Sequence, residues 1–284
     1  MSARDPGSSP AGEREQWDRA ARGWGRRADH VRTWGMPVAA WMIEHLALQP
    51  GERVLELAAG PGDVGFMAAE LIAPGGVLIS SDASEAMLKI ARERAARQGV
   101  AGVEFKRLLL EWIDLETASV DAILCRWGLM LCSDPAAAAQ ECRRVLRPGG
   151  RIALAVWDQP ELNPWATVPR AALEDIGAAP AVDPNAPGPF ALSAPGALER
   201  LLADAGFLEP RIEGVRVERR YGDLEDYLDE SLELSPMLQD IWGQLSDRQQ
   251  SRLLERMRER ARPYLCPDGS LLLPGLSICA LAFA

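Results

Sequence analysis

Apolar and polar positions divide the chain into short buried runs and longer amphipathic ones. Residues 14–48 read as helical, because the apolar residues of "WGMPVAAWMIEHLAL" recur at helical spacing and Trp17, Trp24 and Trp34 crowd the segment. Pro50-Gly51 ends it. "ERVLELAAGPGDVGF" reads as a buried strand, a glycine turn and a helix start, and "FMAAELIAP" continues the helix. "GGVLISSD" is a second strand closed by Asp82. "ASEAMLKIARERAARQG" is a helix with Ser84 near its start and Gly99 just past its end. "VEFKRLLL" reads as a third strand and "VDAILCRWGLML" as a fourth. "DPAAAAQECRRVLRPGG" is a helix stopped by Pro148-Gly149-Gly150, and "RIALAVWD" is a fifth strand.

Strands alternating with helices at this spacing predict an α/β fold, a doubly wound and mainly parallel sheet with helices on both faces. Such sheets bind ligands beyond the carboxyl ends of their strands, where the strand order reverses. The rest of the chain is less regular. Residues 159–196 carry many prolines and read as a connection. "SAPGALERLLADAGF" is a helix and "RIEGVRVERRY" a strand. A helical, mixed-charge block then precedes "SLLLPGLSICALAFA", an apolar closing strand. A helical block between two strands of one sheet is an insertion expected to cap the pocket. The predicted organisation is a disordered leader at 1–13, an N-terminal helical lid at 14–49 and a cofactor-binding core at 50–158. A connection, helix and sixth strand occupy 159–222, a helical cap 223–264 and the final strand 265–284.

Composition narrows the function. The formal charge of −10 argues against a nucleic-acid surface. Basic charge is almost all arginine, with Lys89 and Lys106 the only lysines. No apolar run reaches the roughly 18 residues a membrane span needs. The opening "MSARDPGSSPAGERE" is polar and rich in Gly, Pro and Ser, without an apolar signal core. The five cysteines are odd in number and lack a C-x-x-C spacing, which fits free thiols in a cytoplasmic protein better than disulfides or zinc.

Gly60-Pro61-Gly62-Asp63-Val64-Gly65 matches G-x-G-x-x-G, and Asp82 closes the next strand. Glycines let the backbone approach a ligand, and an acid there can bind two ribose hydroxyls. The motif alone does not separate nicotinamide dinucleotides from S-adenosylmethionine. Three residues favour the latter. Glu56, four positions before Gly60, can attract a cationic amino-acid end. Pro61 removes an N–H that pyrophosphate binding would use, and Asp63 would repel a phosphate.

With "SSDASEAMLKIARERA" and "VDAILCRWGLMLCSDPAAAAQECRRVLRPGGRIALAVW", the stretch "VLELAAGPGDVG" resembles the successive motifs of class I S-adenosylmethionine-dependent methyltransferases, nearest the ubiquinone/menaquinone-biosynthesis type. The resemblance covers residues 50–158 well. It implies a seven-stranded sheet with the last strand antiparallel. It also implies that Glu56, Ala58, Gly60 and Gly62 wrap the methionine end and that Asp82 holds the ribose. Ala83 and Met87 would pack near the adenine, and Arg126, Trp127 and Gly128 would line the methyl-transfer side. Leu109 and Leu110 stand where the family usually has an Asp and a small residue reading the adenine edge. Glu111 is near enough to take over that contact if the strand end shifts.

Candidates for a catalytic base are few: His30, within the segment that covers the cofactor in this fold, and Tyr221, Tyr227 or Tyr264 in the cap region. His45 reads as an ordinary helix residue, and no metal cluster is evident. Trp24 and Trp127 are the substrate-side candidates. The expected acceptor is a small, partly apolar molecule, and a strongly anionic one is disfavoured by the lack of a basic cluster. A homodimer is held open. Two other readings stand beside methyl transfer. One is a non-methylating member of the same fold, such as a cyclase or binding module. The other is an NAD(P)-dependent oxidoreductase, against which no Tyr-x-x-x-Lys pair is present.

Overall fold

The computed structural model describes residues 10–180 and 186–284. Seven strands form one sheet: β1 (Arg53–Glu56), β2 (Val77–Asp82), β3 (Val103–Arg107), β4 (Val120–Arg126), β5 (Leu146–Trp157), β6 (Leu208–Tyr221) and β7 (Leu271–Phe283). Their order is β3-β2-β1-β4-β5-β7-β6. The first five are mutually parallel, and β7 is antiparallel to both β5 and β6. Hence β6 points the same way as β5, and the carboxyl ends of β1, β4, β5 and β6 share one edge of the sheet. The order reverses between β1 and β4, which makes their ends the switch point.

Nine helices are described: α1 (Pro10–Leu46), α2 (Asp63–Ile72), α3 (Glu85–Gln98), α4 (Pro135–Val145), α5 (Pro164–Asp175), α6 (Ala197–Asp204), α7 (Leu224–Leu234), α8 (Pro236–Trp242) and α9 (Asp247–Ala261). None is long and apolar enough to cross a membrane. Central strands are buried on both faces, as the successive pairs Val54 and Leu55, Leu78 and Ile79, and Ile123 and Leu124 show. A second apolar cluster, with Tyr221, Tyr227, Leu253, Met257 and Leu273, joins α5, α7 and α9 to the ends of β6 and β7.

Local departures from the sequence reading have physical causes. The N-terminal region is one continuous helix, and it begins at Pro10, inside the expected leader; residues 1–9 lie outside the described residues. Pro37 lacks the N–H that would bond one turn back. The buried stripe Val31, Trp34, Val38, Met42 and Leu46 nevertheless runs through it unbroken, and packing on the sheet holds the helix together. The proline-rich connection contains α5. Pro164 sits at its start, where no N–H is needed. Pro169 leaves the Trp165 carbonyl without its helical partner, and the Tyr227 hydroxyl donates to that carbonyl at 3.3 Å.

β3 stops at Arg107 rather than Leu110. Its one neighbour, β2, ends at Asp82, whose carbonyl accepts the Leu108 N–H at 3.3 Å. The chain then folds over, with Leu109 bridging to Trp112. β4 likewise ends at Arg126. Trp127 has φ 59°, left-handed for a bulky residue, and turns the chain into one turn of 3₁₀ helix at Leu129–Leu131.

A candidate cofactor cleft at the switch point

The carboxyl ends of β1, β2 and β4 open into one cleft. It is lined by Glu56, Ala58, Gly60, Asp82, Ala83, Met87, Leu109, Leu110, Arg126 and Trp127, with Trp17 and Trp24 of α1 on the covering side. The sequence-predicted residues therefore converge, apart from Gly62 and His30. Gly62 (φ 91°) caps α2, and a Cβ there would stand 2.5 Å from the Phe66 ring, so its role is to shape the turn. Glu111, Gly128, Leu131 and Cys132 also reach the cleft.

Glu56 is 4% exposed. Its Oε1 accepts the Gly65 N–H at 2.7 Å and its Oε2 accepts the Ser80 hydroxyl at 3.1 Å. Burial pushes its carboxyl up to about 7, against the pull of these donors and of Arg126. The third glycine of the motif serves this carboxylate, because a Cβ on Gly65 would stand 2.1 Å from Oε2. Asp82 Oδ2 accepts the Gly60 N–H and Oδ1 the Ser84 N–H, both at 2.9 Å. It thus fixes the glycine turn and the start of α3 together. Burial raises it to about 6, countered by those N–H groups. Ser84 caps α3 by accepting the Met87 N–H, and its hydroxyl meets Asp18 of α1 at 2.5 Å, which ties the covering helix to the cleft.

Arg126 enters beside Glu56. Its guanidinium lies 4.6 Å from the Trp127 ring centre and 3.7 Å from Asp63, whose other oxygen pairs with buried Arg94 at 2.7 Å. Burial lowers the Arg126 pKa, while Asp63 and Glu56 oppose this. Trp127 is fixed by its N–H to the Ala155 carbonyl at 2.7 Å and by its indole N–H to Ser277 Oγ at 3.0 Å. Strain of this kind at a strand end is characteristic of ligand sites. Ala58 is also left-handed (φ 50°), and Gly128 permits its approach, since a Cβ at 128 would stand 2.4 Å from that of Ala58.

These residues fit the adenosyl cofactor. Gly60 is left-handed (φ 52°) and nothing lies within 4 Å of where its Cβ would stand, so the turn leaves a cradle for a ligand. Two carboxylates held above their ordinary range line one cleft. One can take a cationic ammonium, and the other has lone pairs free for hydroxyl donors. Leu109 and Leu110 offer apolar surface and backbone groups in place of a carboxylate. Glu111 does not turn to that task, because its Oε1 accepts the Ser133 and Asp134 N–H groups ahead of α4 at 2.9 and 3.4 Å.

His30 lies away from the cleft. Its Nδ1 faces Glu230 Oε2 at 2.5 Å and its Nε2 faces the Arg220 carbonyl at 2.7 Å, so it links α1 to α7 and β6. Tyr221 donates to the other Glu230 oxygen at 2.8 Å. Among the described residues, no histidine, tyrosine or lysine lines the cleft.

Comparison with known proteins agrees with this geometry. Residues 48–176 match the family model described as a methyltransferase domain. The ubiquinone/menaquinone biosynthesis C-methyltransferase UbiE of Pseudomonas putida is 33% identical over 119 residues, 42% of this chain and 46% of the relative. The chain thus spans about half the length of the curated relatives it matches. Among solved structures, phosphoethanolamine N-methyltransferase 2 of Haemonchus contortus, in complex with phosphomonomethylethanolamine and S-adenosylhomocysteine, superposes with a TM-score of 0.59 at 16% identity, covering 95% of this chain and 60% of that one. The [4+2]-cyclase SpnF superposes at 0.54 with 17% identity, covering 86% and 80%. These two likenesses concern the fold alone. The match of residues 48–176 to a methyltransferase domain agrees with the resemblance of residues 50–158 to class I S-adenosylmethionine-dependent methyltransferases.

Proposed function

We propose that the chain transfers a methyl group from S-adenosylmethionine to a small, partly apolar molecule in the switch-point cleft. One observation carries this reading: Glu56, Gly60, Asp82 and the Leu109–Leu110 pair line a single cleft beside Arg126 and Trp127. When bound, S-adenosylmethionine supplies a methyl already activated on a sulfonium, so the protein's work is alignment and exclusion of water. Glu56 attracts the ammonium of the amino-acid end, and Arg126 beside it is the cation available to the neighbouring carboxylate. Asp82 accepts from the ribose hydroxyls. Ala83, Met87, Leu109 and Leu110 pack on the adenine, with the Leu110 N–H offered to a ring nitrogen. Trp17 and Trp24 close the cleft from α1. Trp127 and Gly128 form the wall on the methyl-transfer side.

The name of the UbiE relative supports a carbon acceptor on a quinol-like ring as the first class to test. A second reading, a cofactor-binding member of the fold that transfers no methyl, is supported by the missing adenine-amine acceptor at Leu109–Leu110. Transfer of labelled methyl from S-adenosylmethionine across a panel of phenols, quinols and amines separates the two. Label appearing in any of these acceptors supports the first reading. Cofactor binding without label in the whole panel supports the second.

A further inference from the structure

Arg219 is not explained by the cofactor cleft. It lies near the carboxyl end of β6, on the buried row with Val217 and Tyr221, and is 6% exposed. Its guanidinium carbon stands 3.7 Å from the Trp165 ring centre, 3.8 Å from that of Trp34 and 5.1 Å from that of Trp157. It forms no ion pair among the described residues. The Tyr221 hydroxyl is within reach of its guanidinium, and Glu230, whose charge also reaches it, is already engaged by His30 and Tyr221. Arg219 Nε and Trp34 Nε1 are both buried without an acceptor.

Buried N–H donors left open on two side chains in contact are uncommon in a folded protein, where such groups are met by protein, water or ligand. A role in packing alone does not account for them, since an apolar side chain would fill the same box without the desolvation cost of a charge. The location points to a ligand. β6 ends on the same edge of the sheet as β4 and β5, the edge that binds ligands in this architecture. The aromatic box also continues into the cofactor cleft. Trp127, a wall of that cleft, stacks on Trp157 at 4.4 Å and on Trp34 at 5.2 Å between ring centres.

We propose that Arg219, with the Trp34 indole N–H, receives an anionic oxygen of the methyl acceptor, whose flat apolar body lies along Trp127, Trp157 and Trp165. The acceptor class is then a planar, largely apolar molecule bearing a carboxylate or ionised enol oxygen. This identification rests on the methyl-transfer reading, and it replaces the sequence-based expectation against an anionic acceptor. The guanidinium is suited to the task because it stays charged, offers parallel donors and stacks on indole faces.

The test is calorimetric titration of the full chain with benzoate and naphthoate against benzamide and naphthamide, with and without saturating S-adenosylhomocysteine. The wild-type protein should prefer at least one acid over its amide by about tenfold or more. Arg219→Gln should abolish the preference without changing the affinity for S-adenosylhomocysteine. Trp34→Phe keeps an aromatic ring, removes the second donor and should cut the preference by about threefold; it decides the matter if Arg219→Gln does not fold. Equal affinity for acids and amides, or no acid binding, overturns the proposal. Failure of S-adenosylhomocysteine to bind while the acid preference persists would sink the methyl-transfer reading and leave the anion site standing.

Discussion

Glu56→Gln is the substitution in which stability and binding should move in opposite directions. The carboxylate is 4% exposed, and burial raises it from 4.5 to about 7. At about 1.36 kcal/mol per pH unit, that rise of roughly 2.5 corresponds to about 3 kcal/mol. The sign follows from linkage. A group whose folded value lies above its unfolded value contributes stability that is fully present below the unfolded value, here 4.5, and is lost as pH rises through the folded one. Glutamine keeps an oxygen for the Gly65 N–H at Oε1 and cannot ionise. In the absence of ligand, the variant should therefore match the wild type near pH 4.5 and exceed it by up to about 3 kcal/mol above pH 8, with the gap opening between. Urea denaturation at pH 5 and pH 8 measures it. The same variant should bind S-adenosylhomocysteine at least about tenfold more weakly at pH 8, because the charge facing the ammonium is gone. A variant less stable than wild type at pH 8, or a gap independent of pH, would refute the assignment of Glu56 as a strained, buried carboxylate held for a cationic ligand.

Three further outcomes follow from the same geometry. Asp82→Ala removes the acceptor for the Gly60 and Ser84 N–H groups as well as the ribose contact, and should weaken S-adenosylhomocysteine at least about tenfold by calorimetry; unchanged affinity would show the ribose assignment to be wrong. Leu109→Asp restores an acceptor at the cleft wall and should tighten binding by about two- to tenfold, with equal or weaker binding counting against the adenine register. His30 has an acceptor at each ring nitrogen, and the Glu230 hydrogen bond raises its pKa above 6.5 despite opposing burial. Its contribution is present below pH 6.5 and lost as pH rises through the raised value, so His30→Gln should lower stability by about 1.5–3 kcal/mol at pH 6 and by less at pH 9. Equal losses at the two pH values would exclude a charged link between α1 and α7.

The sheet was legible in the sequence because apolar runs of strand length alternate with amphipathic ones bounded by glycine and proline. The glycine turn, Glu56 and Asp82 were legible because their spacing along two consecutive strands places them at adjacent strand ends. What the sequence hid depended on neighbours. "VEFKRLLL" is apolar to its end, yet β3 stops where its only partner stops. Pro169 falls in a segment read as a connection yet lies inside a helix, because a borrowed donor, the Tyr227 hydroxyl, meets the carbonyl that its missing N–H leaves open. His30 suited the lid by position, but its contacts face the cap. Arg219 did leave a signal, since Val215, Val217, Arg219 and Tyr221 share one face of a strand by their period of two, which puts an arginine in an apolar row. The tryptophans around it come from α1, β5 and α5, and no local pattern unites them.

The central claim is that the switch-point cleft is built for an adenosyl-amino-acid ligand rather than a dinucleotide. Calorimetric titration of the wild-type chain with S-adenosylhomocysteine, with NADH as control, tests it most directly. Saturable, micromolar binding of the former and no heat from the latter is the predicted result. Absence of S-adenosylhomocysteine binding, or tighter binding of NADH, would contradict it.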